Sequence, residues 1–369
     1  MHIECNKNNL INAINIVLKA VPTRSTMDIL SCILLIADRD GFRLIGNDLK
    51  LSIETTNIDA EVFEKGAVAL DAKIFSDIIR NLPTEYVTLK VDEKFNCTIT
   101  SGKSLFNIKG LDGEQFPKPE TLNRNIGETE ISSAVLKNMI KQTIFSVAVE
   151  DNRPILTGEL LKFDENQLHV VAIDGYRVSW RKAPVEYQNY TELVVPAKTL
   201  NEICRLLPDD DTKVKMVFSA MHIMFIIDKC TVVSRLLDGD YLNYENLFNS
   251  ESPLVLTVHT QDLLTALSRA TIIADDSKKT EITLTISDRF MNINANTSIG
   301  TLNEDVAINI ESGEDLVIRF NAKYLIDVLN AIDDEYVKLH FNTNKSPCIV
   351  TGITGDRFKY LVLPINPRS

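Results

Sequence analysis

The sequence lacks most signatures of enzymes and membrane proteins. No apolar run approaches the ~20 residues of a membrane span, and Met1-His2-Ile3-Glu4-Cys5 lacks the basic-then-apolar order of a secretion signal. A soluble, cytoplasmic chain is expected, with no membrane partner. Six cysteines, at 5, 32, 97, 204, 230 and 348, are scattered through apolar runs without a C-x-x-C pair, the pattern of buried reduced thiols. The five histidines show no ligand spacing and no H-E-x-x-H occurs, so no metal is expected. There is no Gly-x-Ser-x-Gly elbow. Thr100-Ser101-Gly102-Lys103-Ser104 resembles a phosphate loop but fails the pattern, because Cys97 stands where the first glycine is required. With these motifs absent, neither catalysis nor a cofactor is expected. Positive charge is also scarce: 39 Lys and Arg against 51 Asp and Glu give −12, which argues against nucleic acid as a partner unless the charge is unevenly placed.

What is present is repetition. The stretch Val68 to Leu82 returns as Val194 to Leu207 and again as Ile318 to Ile332, with Ala-Lys pairs beginning at 72, 197 and 322, two steps of 125 residues. That period is too long for a solenoid unit and suits a whole domain. It divides the chain into 1–125, 126–250 and 251–369, with turn-rich linkers near Pro119 to Gly127 and Asn249 to Pro253. Each copy predicts one helix with an apolar stripe: Phe75, Ile78, Ile79, Leu82; Leu200, Ile203, Cys204, Leu207; Leu325, Val328, Leu329, Ile332. A second helix is expected per repeat, giving ranges of 9–20, 72–82, 132–147, 197–207, 260–273 and 322–332. Alternating strands and Asp-Gly or Asp-Glu-Asn turns fill the rest, and Leu111-Asp112-Gly113 recurs as Leu237-Asp238-Gly239. The fold class expected is α+β: three similar domains, each with two helices packed on one face of antiparallel sheet.

Charge is distributed unevenly along this plan. The six helices hold Lys19, Lys73, Arg80, Lys137, Lys141, Lys198, Arg205, Arg269 and Lys323, nine cations, against Asp77, Glu202, Asp262 and Asp327, four anions, a net +5 in a chain of −12. If repeated domains are related by rotation, equivalent helices face a common axis. Such a positive lining inside an acidic body would hold DNA weakly by charge, since few phosphates are neutralised, but encirclement would remove the need for affinity.

Four further stretches carry a resemblance: Val171-Ala172-Ile173-Asp174-Gly175-Tyr176-Arg177-Val178, Arg235 to Tyr244, Phe320 to Leu325, and Tyr360-Leu361-Val362-Leu363-Pro364-Ile365. Together, in this order and on a three-copy frame, they resemble the bacterial DNA sliding clamps, the beta subunits of DNA polymerase III, from end to end. The resemblance implies a DNA clamp fold whose homodimer is a ring of six domains around duplex DNA, acting as a processivity factor without catalysis. It implies a clamp-loader ATPase, the replicative polymerase, and other polymerases and repair proteins as partners, held by a short peptide motif in a groove between domains 2 and 3. Carried over by motif, that groove comprises Leu156, Ile173, Gly175, Tyr176, Arg177, Val178, Leu242, Leu247, Pro347, Leu361, Leu363, Pro364 and Ile365, with Arg177 giving the peptide direction. Arg24 and Arg153 match family loops near the DNA. Lys73, Arg80, Lys137, Lys141, Lys198 and Arg205 join them from the helix argument. Phe106, Ile272 and Ile273 match the apolar dimer contact.

Two departures from the family stand out. Tyr241-Leu242-Asn243-Tyr244 replaces the common Phe-Pro-x-Tyr, and Asn366 to Ser369 extends beyond the usual end, where it could cover the groove. Two other readings remain at this level: an enzyme using Asp174, Tyr176 and Arg177 at the domain 2/3 junction, or a scaffold that binds no DNA.

Overall fold

The computed structural model describes residues 1–119, 122, 125–150, 152–249, 251–273 and 280–365. The tail from Asn366 and parts of both linkers lie outside the described residues. Six times a strand runs directly into a helix: His2–Asn6 into α1 (Lys7–Val17), Gly66–Asp71 into α2 (Ala72–Arg80), Gly127–Ser132 into α3 (Ser133–Lys141), Thr191–Pro196 into α4 (Ala197–Leu206), Leu254–His259 into α5 (Thr260–Ile272) and Leu316–Asn321 into α6 (Ala322–Asn330). Short polar side chains start several of them. Asn6 accepts from the N–H groups of Asn8 and Asn9, Asp71 from Ile74, and Asn321 from Lys323, satisfying donors that a first turn leaves orphaned.

The predicted stripes are buried at Phe75, Ile79, Leu200, Ile203, Leu325, Val328 and Leu329, whereas Ile78 and Cys204 are half-buried. The range expected at 132–147 is too long. Helix α3 stops at Lys141, and a separate 3₁₀ turn covers Ile144–Ser146. Thr143 leaves helical geometry at φ −127°. Its hydroxyl lies 2.8 Å from the Met139 carbonyl and 2.7 Å from the buried Glu159 carboxyl, taking the place of the next ladder bond.

Every named strand pairing is antiparallel, but the sheets do not stay within repeats. The first repeat supplies a five-stranded sheet and five strands of a nine-stranded one; the central repeat supplies the other four of the nine-stranded sheet and four to a twelve-stranded one that the third repeat completes. The seams are strand Leu51–Thr55 on Cys230–Arg235, with Ser52 opposite Val233, and strand Arg177–Pro184 on Phe358–Val362, with Val178 opposite Leu361. Contacts accordingly define two compact units, one of Met1–Ala134 with Glu202–Leu236, the other of Val135–Asn201 with the chain from Leu237 on. In the first unit α1 packs against strands Gly41–Asn47 and Leu51–Thr55. Gly46 makes that approach possible, since a Cβ there would fall 2.4 Å from the Val17 carbonyl oxygen.

The hairpins of the first two repeats share one register at a shift of 126 residues. Leu34 lies opposite Ile45 and Ile45 opposite Glu54; Leu160 lies opposite Val171 and Val171 opposite Trp180.

Candidate functional site: an apolar groove and cationic helix starts

In the second unit, strands Gly158–Asp164, Gln167–Ile173, Arg177–Pro184, Cys348–Gly352 and Phe358–Val362 present a buried apolar cluster on one face. It contains Leu156, Leu160, Ile173, Val178, Ile349 and Leu361, closed on one side by Trp180 and Tyr244. Four of the expected groove residues, Leu156, Ile173, Val178 and Leu361, therefore form a floor of core side chains. Of the other expected residues, Tyr176, Leu242, Leu247 and Leu363 are between 38% and 49% exposed, and Pro347, Pro364 and Ile365 are half-buried. Backbone bonds fix this rim: the Leu363 N–H donates to Tyr176 O and the Ile365 N–H to Arg319 O, each at 2.9 Å. Gly175 turns the chain at φ +84°, a left-handed conformation that suits glycine, with no atom crowding the place of a Cβ. Phe248, next to Leu247, packs partly buried against the cluster. The expected groove residues thus divide into a buried aliphatic floor and an exposed set in which Tyr176 and Leu363 are tied together through the backbone.

Arg177 is placed otherwise than expected. Only 9% exposed, it turns into the protein: Nε donates to Asp174 (2.9 Å), one terminal nitrogen to Asp327 (2.6 Å), the other to Phe145 O (2.6 Å). Its guanidinium also lies over the rings of Phe145 and Tyr324. Its guanidinium is committed to these partners, on the same turn that carries Tyr176. Asp174 is likewise engaged, accepting from the N–H groups of Tyr176 and Arg177 as well as from the guanidinium. The enzyme reading of Asp174, Tyr176 and Arg177 loses its free carboxylate. Sequence reasoning missed Phe145, Tyr324 and Asp327, which build this support. Tyr324, inside the repeated Ala-Lys motif, stacks on Tyr176 at 5.7 Å and was the available signal.

The cations fall into two groups. Lys73, Lys198 and Lys323 occupy the second position of α2, α4 and α6 and are all exposed. Arg24, Lys141 and Arg153 are exposed and Lys137 is half-buried. Arg80 donates to Asn15 at 2.8 Å and has no ion pair among the described residues, whereas Arg205 pairs with Glu202 at 2.7 Å. Arg269, counted among the helix cations, likewise pairs with Glu304. Phe106 stands exposed on strand Ser104–Lys109, a sheet edge, while Ile272, 77% exposed, ends α5 and Ile273 is half-buried. Among the described residues no cluster of His, Cys, Asp or Glu could hold a metal, and no helix is long and apolar enough to cross a membrane.

A strand–helix module written three times over shared antiparallel sheets, with a buried apolar cluster where the second copy meets the third, defines a three-domain clamp fold. The chain belongs to the DNA polymerase III beta subunit family, whose N-terminal, central and C-terminal domain models match residues 1–121, 130–243 and 245–366. It is 32% identical to the beta sliding clamp of Halalkalibacterium halodurans and 33% identical to that of Staphylococcus epidermidis, each over 99% of both chains. Among solved structures, the DNA polymerase sliding clamp of Bacillus subtilis matches with a TM-score of 0.96 at 29% identity, covering 100% of both chains. A DNA polymerase III beta subunit from Eubacterium rectale matches with a TM-score of 0.95 at 39% identity, over 99% of this chain and 100% of that one. The function is that of a sliding clamp, a processivity factor of DNA replication.

Proposed function

We propose that two copies, each divided near residues 125 and 250, close head to tail into a cytoplasmic ring that encircles duplex DNA and has no catalytic role. Phe106 of one copy packs with Ile272 and Ile273 of the other. Arg24, Lys73, Arg80, Lys137, Lys141, Arg153, Lys198 and Arg205 face the DNA. The replicative polymerase, a clamp-loader ATPase and other polymerases and repair proteins insert short peptides between the Tyr176, Leu363 and Ile365 rim and the Leu361 floor. One observation supports the DNA face above all: the second residue of an equivalent helix is an exposed lysine in every repeat. A chance surface would not repeat that three times. Contacts of this kind are electrostatic and blind to sequence, as sliding requires.

The test is retention on a nicked circular plasmid before and after linearisation. The ring should stay on the circle and leave the cut molecule. With Lys73 and Lys198 changed to Glu, retention should fall while the dimer persists in sedimentation; unchanged retention would refute the DNA-facing assignment.

A further inference from the structure

The frame of the groove is built a second time, where the first repeat meets the central one. At a shift of 126 residues Leu160, Val171 and Val178 become Leu34, Ile45 and Ser52. Leu361, opposite both Val178 and Ile349, has its counterpart in Val233, opposite both Ser52 and Met224. The turn is repeated too. Asp48 accepts from the N–H groups of Lys50 (3.0 Å) and Leu51 (2.7 Å) as Asp174 does from Tyr176 and Arg177, and Leu49 takes φ +71° where Gly175 takes +84°. The Arg235 N–H meets Lys50 O at 2.8 Å as the Leu363 N–H meets Tyr176 O.

The cover differs. Trp180 and Tyr244 close the later junction, and at the same shift stand Glu54 and Lys118. Two aromatic side chains are thus replaced by charged ones, and a cavity of about 530 Å³ remains, lined by Leu34, Ile36, Ile45, Met224 and Val233 among others. Sites for ligands run to roughly 300–1,000 Å³. On its wall Arg43 bridges Glu54 (2.7 Å) and Asp38 (2.9 Å), so these three charges satisfy one another. Its hydrogen bond to Asp38 holds that carboxyl below the usual range. Lys65 also lines the cavity; it is exposed and has no ion pair among the described residues. Glu114 and Lys118, also on the lining, pair with each other at 3.4 Å. The cavity therefore offers an aliphatic floor and one cation outside any ion pair, Lys65, whose charge otherwise acts on Asp38 at a distance.

We infer that this cavity is a second peptide site, taking a partner segment with one or two aliphatic or aromatic side chains next to a carboxylate that Lys65 receives. The class of occupant rests on the reading of the later junction as a peptide groove; the acid follows from Lys65, the lining cation that no ion pair among the described residues holds. A fluorescein-tagged Ile-Phe-Asp tripeptide titrated into the full chain tests it. In a Leu363→Ala background, which weakens the groove, binding should persist, and adding Glu54→Trp, which restores the aromatic cover, should abolish it. Lys65→Glu, an exposed change that leaves the floor intact, should weaken binding about threefold to fivefold, the value of one exposed ion pair. Changing the probe's Asp to Asn should do the same. Loss of all binding in Leu363→Ala, with no effect of Lys65→Glu in the wild-type background, overturns the second site and leaves the groove standing. Binding that ignores Leu363→Ala but responds to Glu54→Trp and Lys65→Glu upholds the second site, and absence of binding to any variant overturns it.

Discussion

Replacing Arg177 by Met should destabilise the second unit far more than removing a surface charge. The side chains of Arg177 and Asp174 are only 10% and 14% exposed and that of Asp327 26% exposed, so solvent cannot replace the guanidinium fully. Breaking a buried ion pair costs about 3–5 kcal/mol. Asp174 keeps two backbone donors and Asp327 reaches some water, which puts the expected loss near the lower end, about 3 kcal/mol. The pair of Lys182 with Asp356 offers the contrast, because Asp356 is 68% exposed and water can take the place of its partner, so Lys182→Met should cost no more than about 1 kcal/mol. The single tryptophan, Trp180, sits three residues from Arg177 on the same strand, so its fluorescence during urea unfolding reports on this unit. Adding Asp327→Asn to Arg177→Met should recover part of the loss, since it removes one of the charges left without a partner. A loss below about 1 kcal/mol for Arg177→Met would mean that the network is screened like a surface pair, and the account of Arg177 as the support of the rim would fail.

Burial pushes the Glu159 carboxyl well above its ordinary value despite the hydrogen bond from Thr143. The folded chain therefore keeps a proton that the unfolded chain releases, and stability, full at acid pH, should fall as pH rises toward the folded value, by about 1.4 kcal/mol per unit of difference. Glu159→Gln should flatten the melting temperature between pH 5 and pH 8; an unchanged slope would refute this. Leu363→Ala should weaken a partner peptide by about 1–2 kcal/mol, measured by fluorescence anisotropy, without altering sedimentation. Phe106→Asp or Ile272→Asp should each raise the dimer dissociation constant about thirtyfold, near 2 kcal/mol for an apolar anchor, with Trp180 fluorescence unchanged; a dimer that tolerates both would place the contact elsewhere.

The helices were legible in the sequence because their information is local. A strand ending in Asn or Asp, followed by apolar residues at i, i+3 and i+4, needs no distant partner to be read, and three copies average out the noise of any one. The sheets were not legible in the same way. Nothing near Ser52 or Val178 says that their neighbours will be Val233 and Leu361, because those pairings join residues about 180 apart in the chain. The groove was half legible. Motif matching brought the Tyr176 and Leu363 rim together with the Leu361 floor, but it could not foresee that Arg177 would turn inward, since Asp327 lies 150 residues away. Helix α3 ended early for a related reason: Thr143 meets Glu159 only after folding, and periodicity alone cannot register a buried carboxyl.

The seams between repeats also set how the polypeptide can be divided. Because strand Leu51–Thr55 is zipped to Cys230–Arg235 and Arg177–Pro184 to Phe358–Val362 by main-chain bonds, cutting out the middle third would bare two rows of unpaired N–H and C=O groups at once. Naked edges of that kind recruit other strands and precipitate. The middle portion is thus obliged to travel with its neighbours, and a gene encoding it alone should yield aggregate, whereas the intact polypeptide caps both edges with its own chain.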